Sequence, residues 1–307
     1  MTKTSASTLL LALAACGPAF SGDDDGGSSG GMQQCVWGTM LYDDGDEFET
    51  PDGCVKYRCD SGALVALQDS RIHVAGDLEL ATQAEVDAQA CLGSVGGQLR
   101  ISGGAADLTP LSSLANVGGT LVVDGAAVVT LDGLQALVQI DGALQLTANP
   151  GLTTLAFHPY LSVFGDLVIE DNDTLASLDG AEFLSGCTGC AIAGDVADGT
   201  GPDGGALSAG DQAPTGGVFY GNISIADNDV LVDLSAMTNL VSAWADLRLS
   251  NNAQLASLSA LQLGNVGGDL EIADNVTLPD ADVQALLARV AVAGTTTVCG
   301  NQGEPAC

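Results

Sequence analysis

Basic residues are scarce: 7 Lys and Arg stand against 39 Asp and Glu in 307 residues, a formal net charge of -32. Phosphate backbones and anionic lipid surfaces are bound through clustered cations, which a few scattered bases cannot build. Nucleic acid and direct adhesion to an anionic membrane are thereby excluded. Aromatic side chains are equally sparse at 4%, and the hydrophobic fraction of 46% is mostly Leu, Val and Ala. That composition excludes a thick core built on large rings and favours a thin one of stacked aliphatic rows. Only two histidines occur, His73 and His158, and neither belongs to an H-E-x-x-H, G-x-S-x-G or phosphate-loop pattern. No constellation for nucleophilic, metal-hydrolytic or phosphoryl-transfer catalysis can be read from the chain. Long apolar runs are absent too, since the stretch from Leu9 to Leu13 is too short to cross a bilayer.

What that stretch does form is an exported leader. One base, Lys3, precedes it, and it ends in Leu13-Ala14-Ala15-Cys16. The ending resembles the bacterial lipobox, which implies that residues 1–15 are a lipoprotein signal peptide and that Cys16 is diacylated as the first mature residue. Two or more acyl chains give durable anchoring where one does not. Gly17 stands where an Asp favours inner-membrane retention, so the resemblance implies the outer membrane or cell surface of a Gram-negative bacterium. Residues 16–33, with Ser21 to Gly31 reading SGDDDGGSSGG, form a flexible acidic tether. The membrane is a partner through the anchor only.

Apart from Cys16, eight cysteines remain: Cys35, Cys54, Cys59, Cys91, Cys187, Cys190, Cys299 and Cys307. An even number in an exported protein favours disulfides over metal ligation. Residues 34–68 make a small Cys-rich module. Its Cys35, Asp52-Gly53-Cys54 and Cys59 resemble a degenerate von Willebrand factor C-like module, with Tyr57 where that family has its middle cysteine. The run Asp43-Asp44-Gly45-Asp46-Glu47 lacks the alternating ligands of an EF-hand loop and reads as a solvated turn.

From residue 69 to 307 the chain repeats itself. The triplet L-x-I or a close variant begins at Leu78, Leu99, Leu121, Leu144, Leu167, Ile223, Leu247 and Leu270, with a divergent ninth at Thr296. Spacings run 21 to 26 residues except for one of 56, which marks an insertion at about residues 180–217. Alternation points both aliphatics of the triplet inward, and the V-x-G that precedes most triplets supplies glycine for a sharp turn. Nine strands at about 4.8 Å give a parallel sheet roughly 40 Å long. Asn149, Asn172, Asn228, Asn252 and Asn275 each follow the second aliphatic by three residues. Asn tolerates left-handed backbone and its amide can bond the next turn, so a structural Asn ladder is expected. Gly104 and Ala126 take that place in earlier turns.

The signature L-x-x-V-x-G-x-L-x-I-x-x-N-x-x-L-x-x-L resembles the receptor L domain, a leucine-rich, right-handed, single-stranded β-helix that brackets ligand in insulin- and EGF-type receptors. It implies a mainly β, LRR-like solenoid of about nine rungs with short capping helices. Thr82 to Leu92 and Pro279 to Val290 supply those helices, and the family bridges the cysteine of the first, here Cys91, to an upstream one, Cys54 or Cys59. Binding, recognition or adhesion at the cell surface is the implied role, with an unknown surface protein or glycan as partner.

Two features carry further expectations. Cys187-Thr188-Gly189-Cys190 lacks a surrounding βαβ pattern and reads as a local disulfide stapling the insertion, itself the best guess for specificity. If the insertion loops out, Asp171 lies over Asp227 and Asp173 over Asp229 at about 5 Å. Such repulsion is relieved by solvent or by Ca²⁺, which takes oxygen ligands only. Calcium is thus the one cofactor with a candidate site. A carbohydrate-active β-helix enzyme is the alternative reading, as is a purely structural envelope protein. The enzyme needs a base beside its acids, and Arg100 and Arg248 lie on distant rungs. Lipidation has a direct check: the wild type should incorporate labelled palmitate and fractionate with membranes, and Cys16→Ser should do neither.

Overall fold

The first and third residues of the seven triplets from Leu99 to Ile272 are buried, and their burial fixes the architecture. In the computed structural model, which describes residues 34–37, 40–158, 161–181, 217–238 and 240–307, Leu99, Leu121, Leu144, Leu167, Ile223, Leu247 and Leu270 are all buried. So are Ile101, Val123, Leu146, Ile169, Ile225, Leu249 and Ile272 one pleat further on. The expectations placed on Cys16, Cys187 and Cys190 lie outside the described residues. Each buried aliphatic stabilises by about 1.5–3 kcal/mol relative to exposure, and it does so only against neighbouring turns.

The protein is a parallel β-solenoid. Nine strands, from Leu78–Leu80 to Thr296–Cys299, pair in sequence order in one sheet. A second face carries five strands, from Ile72–Val74 to Ser162–Val163, and a separate group of four, from Gly217–Phe219 to Ala291–Val292. The insertion therefore divides the second face and leaves the first continuous, with Leu167 opposite Ile223 and Ile169 opposite Ile225.

The Asn ladder is present and longer than the sequence suggested. Asn252 Nδ2 reaches the carbonyls of Ile225 at 2.8 Å and Ser250 at 3.1 Å, and Asn275 Oδ1 at 3.3 Å. Its Oδ1 accepts from the backbone N–H of Asn228 at 3.2 Å. The pattern starts where Ala126 N–H donates to Asn149 Oδ1 and ends on Asn301, which is buried like the other rungs. It crosses the insertion through Asn172 N–H to Asn228 Oδ1. Left-handed backbone, however, is one residue earlier than expected. Gly103, Gly125, Ala148, Asp171, Asp227, Asn251, Asp274 and Gly300 have φ between +52° and +70°, whereas none of the ladder asparagines has positive φ. The turn places the left-handed residue outside and the amide inside.

The glycines of V-x-G also differ from expectation. Gly97, Gly119, Gly142, Gly165 and Gly268 have no positive φ. Crowding selects them: a Cβ on Gly97 would lie 2.2 Å from Asp77 Oδ1, and one on Gly268 2.1 Å from Asp246 Oδ1. Those carboxylates belong to a second ladder that the sequence reading missed. Asp77 accepts from Gln98 N–H at 2.8 Å, Asp166 from Asn222 N–H at 2.8 Å, Asn222 from Asp246 N–H at 3.1 Å, and Asp246 from Asp269 N–H at 2.7 Å. Asp269 in turn accepts from Thr295 N–H at 2.7 Å.

Both caps form, each shorter than expected. Thr82 caps a helix at Gln83–Asp87 through a capping box with Glu85, and Cys91 falls beyond it with φ of +69°. The C-terminal helix is Asp280–Leu287 with Pro279 as N-cap. Ahead of the solenoid, the strands Glu47–Glu49, Val55–Asp60 and Ala63–Asp69 form a small antiparallel sheet, preceded by a hairpin of Cys35–Trp37 and Met40–Tyr42. Tyr57 packs there with Phe48, which stacks on Tyr42 at 3.8 Å. Cys35 pairs with Cys59, Cys54 with Cys91 and Cys299 with Cys307. The Cys54–Cys91 bridge selects between the two partners left open and ties the small sheet to the first turn.

Removing one rung tests the ladder. Asn252→Ala strands the buried Asn228 N–H and two carbonyls, so urea denaturation should show a loss of about 3 kcal/mol. Asn251→Gly, at the adjacent left-handed position, should change stability by less than about 0.5 kcal/mol.

Candidate functional site

Outward-facing residues of the long sheet form a polar cluster on the turns either side of the insertion. Glu170, Ser224, Arg248 and Glu271 come together there from four consecutive strands in the sheet order. Ser224 Oγ donates to Glu170 Oε1, while Arg248 reaches Glu170 at 3.5 Å and Glu271 at 3.4 Å. All three charged groups are part-exposed, so the pairs contribute no more than about 1 kcal/mol each and serve to fix side-chain positions. A second cluster lies toward the N-terminal end: Arg100 pairs with Asp124, whose other oxygen accepts from Thr147 at 2.9 Å. Beside it is a shallow open concavity of about 360 Å³ lined by Asp77, Leu78, Glu79, Gln98 and Arg100. Arg100 and Arg248 sit on the second and seventh of the nine strands, as far apart as the repeat count implied. Yet Arg248 does sit among acids, a juxtaposition invisible until the 56-residue spacing is folded out.

The four acids proposed for calcium are arranged as follows. Asp171 and Asp227 extend the register that pairs Glu170 with Ala226, and both occupy the left-handed position at φ of +55°. Asp, Asn and Gly are the residues that accept this backbone readily, so the acids stand here for conformational reasons. Asp173 and Asp229 follow the ladder asparagines on the same two turns and are exposed. Partial desolvation, then the charges of Asp227, Glu170 and Asp173, push the Asp171 carboxyl above its usual range. Among the described residues, no group of three or more His, Cys, Asp or Glu side chains is placed to hold a metal ion.

The histidines stand on separate features. His73 Nδ1 is 2.8 Å from Ser94 Oγ on the second face, and burial pushes the half-buried His158 imidazole down. The acidic run is a turn in which Asp46 N–H donates to Asp43 O and Ser61 N–H to Asp44 Oδ1. Sequence reasoning missed the Asp-Asn second ladder and Asn301. Asn301 had a legible signal, lying three residues after Val298.

Compared with known proteins, the chain matches no protein-family model, no curated protein and no solved structure.

Asp171 yields a pH prediction. Its folded pKa lies above the unfolded value, so its ionisation opposes folding: stability rises as pH falls through the raised value toward the ordinary carboxylate range. Asp171→Asn keeps a residue suited to left-handed backbone and removes the repulsion. In chelator at pH 7 it should raise the thermal midpoint slightly, by less than about 1 kcal/mol in stability on the scale of exposed charge pairs. A fall in the midpoint caused by the same substitution in millimolar calcium would assign a cation to the pair.

Proposed function

We propose that the protein is an exported, lipid-anchored recognition module, with a receptor L-domain-like solenoid held off the outer membrane by its acidic tether and small Cys-rich sheet. The observation that carries this reading is the contrast between the two sides of one sheet. Inward columns are Leu, Ile and Val until Thr296 in the last turn, whereas the second position of the triplet runs Glu79, Arg100, the buried Val122, Gln145, Val168, Ser224, Arg248, Glu271 and Thr297. Stacking needs the first column to be uniform and places no such demand on the second. A rigid, flat surface roughly 40 Å long with unlike side chains suits non-catalytic recognition of a folded protein or a glycan.

Glycan-array and surface-protein binding by the full chain test the reading. Saturable binding should appear and fall at least tenfold in Val168→Glu, at a half-buried outward position, in protein that still unfolds cooperatively. No saturable ligand in either format would leave an envelope-structural role. Release of reducing ends from a glycan, lost in Asp171→Asn, would make the chain an enzyme.

A further inference from the structure

The corner between the two sheets carries a feature that the repeat does not require. Its outermost position, the x of V-x-G, is small at both ends of the solenoid: Gly96 and Gly118 toward one, Gly267 and Ala293 toward the other. Crowding explains this, because a Cβ on Gly118 would lie 2.6 Å from Gly96 O and one on Gly267 2.1 Å from Trp244 O. On three consecutive turns the same position holds Phe164, Tyr220 and Trp244. Strand register establishes the equivalence: Phe219 pairs with Ala243 and Ala243 with Val266 one residue earlier, and Leu167 pairs with Ile223 three residues after Phe164 and Tyr220.

A chain with 4% aromatics thus sets three on adjacent turns, none of them in its buried core. Tyr220 is 39% exposed and Trp244 47%, with their ring centroids 5.6 Å apart. On the turn after Trp244 the column has no side chain, since Gly267 is confined to glycine by the contact above, and the next member is only Ala293. The charged side chains of this corner are all acidic. Asp141 precedes Phe164 in the same column, and Asp166, Asp246 and Asp269 lie two residues after aromatic or glycine members of it. Asp166, Asp246 and Asp269 each spend Oδ1 on the second ladder, which fixes these carboxylates two residues along the chain from the column that holds the rings. Exposed ring faces attract cations, and acids fixed on the same turns together with the overall charge of -32 draw them in.

We propose that the Phe164–Tyr220–Trp244 corner docks a cationic segment of a partner protein, with an Arg or Lys side chain over the Trp244 and Tyr220 rings and the flanking carboxylates around it. The proposal rests on the recognition-module reading and gives the partner its chemistry.

Trp37 and Trp244 are the only tryptophans, so Trp37→Phe in the full chain leaves Trp244 as sole reporter. The probes are acetyl-Arg-Gly-Arg-amide, its citrulline counterpart of equal shape without charge, and cellohexaose. Saturable perturbation of Trp244 fluorescence by the arginine peptide is expected, with affinity at least fivefold above the citrulline peptide. By calorimetry, Trp244→Ala should weaken the arginine peptide about fivefold, the scale of one cation–π contact. Asp246→Asn, which retains the ladder oxygen as Asn222 does, should weaken it about threefold. Equal affinity for both peptides, or unchanged calorimetric affinity in Trp244→Ala, would overturn the proposal and leave only diffuse attraction to an acidic surface. Tighter binding of cellohexaose at Trp244 would also overturn it while keeping the recognition-module reading; absence of any ligand there and in the array experiment would remove both.

Discussion

A flat coil has little interior in which to hide polar backbone, so the structure depends on satisfying the N–H and C=O groups that its corners bury. Strand pairing meets that need along the sheets. At the corners the backbone bends out of register with its neighbours, and the internal Asn ladder from Asn149 to Asn301 takes over, one amide per turn bonding the turns on both sides. Each rung left empty would strand buried groups at about 1–3 kcal/mol apiece. The aliphatic rows add the larger favourable term, but they accept any Leu-like filling, whereas the amides allow only one alignment of turn on turn.

Much of the unusual composition follows from this constraint. Turns packed at strand spacing bring backbone against backbone, which restricts V-x-G positions such as Gly97 and Gly268 to glycine. The bend into the ladder needs left-handed backbone, which places Asp171, Asp227, Asn251 and Asp274 where Gly or Asx alone is comfortable. The opposite corner uses Asp166, Asp246 and Asp269 as backbone acceptors. Several of the acids that give the chain its extreme charge are therefore parts of its frame, and the negative surface is a by-product available for attracting cations.

The repeat made the fold legible: nine triplets, the pairing of Leu167 with Ile223 and the buried asparagines could be placed from spacing, and the capping segments from their local residue pattern. What stayed hidden depends on which atoms of one turn meet which atoms of the next. The left-handed residue precedes the asparagine, because the amide must point inward while the bend is made outside. The Asp77 to Asp269 ladder hides because Thr, Gln and Ala share its column, so no single letter marks it. Arg248 is far from Glu170 along the chain, and only the pairing of the strand at Leu167 with that at Ile223 brings the two together. Likewise Phe164, Tyr220 and Trp244 look scattered over some 80 residues, yet they occupy three consecutive turns at one corner.

The insertion is the sharpest challenge to a ladder-organised solenoid, since 56 residues separate Asn172 from Asn228 and the second face is divided there. Native-state hydrogen exchange of the backbone amides of Asn172 and Asn228, followed by NMR, addresses this directly. Continuity of the frame predicts that Asn172, bonded to Asn228 Oδ1, is protected to within about tenfold of Asn228, which bonds within the uninterrupted repeats. Exchange of Asn172 at rates near those of an open loop, with Asn228 still protected, would show that the protein is two separate stacks and would contradict the account.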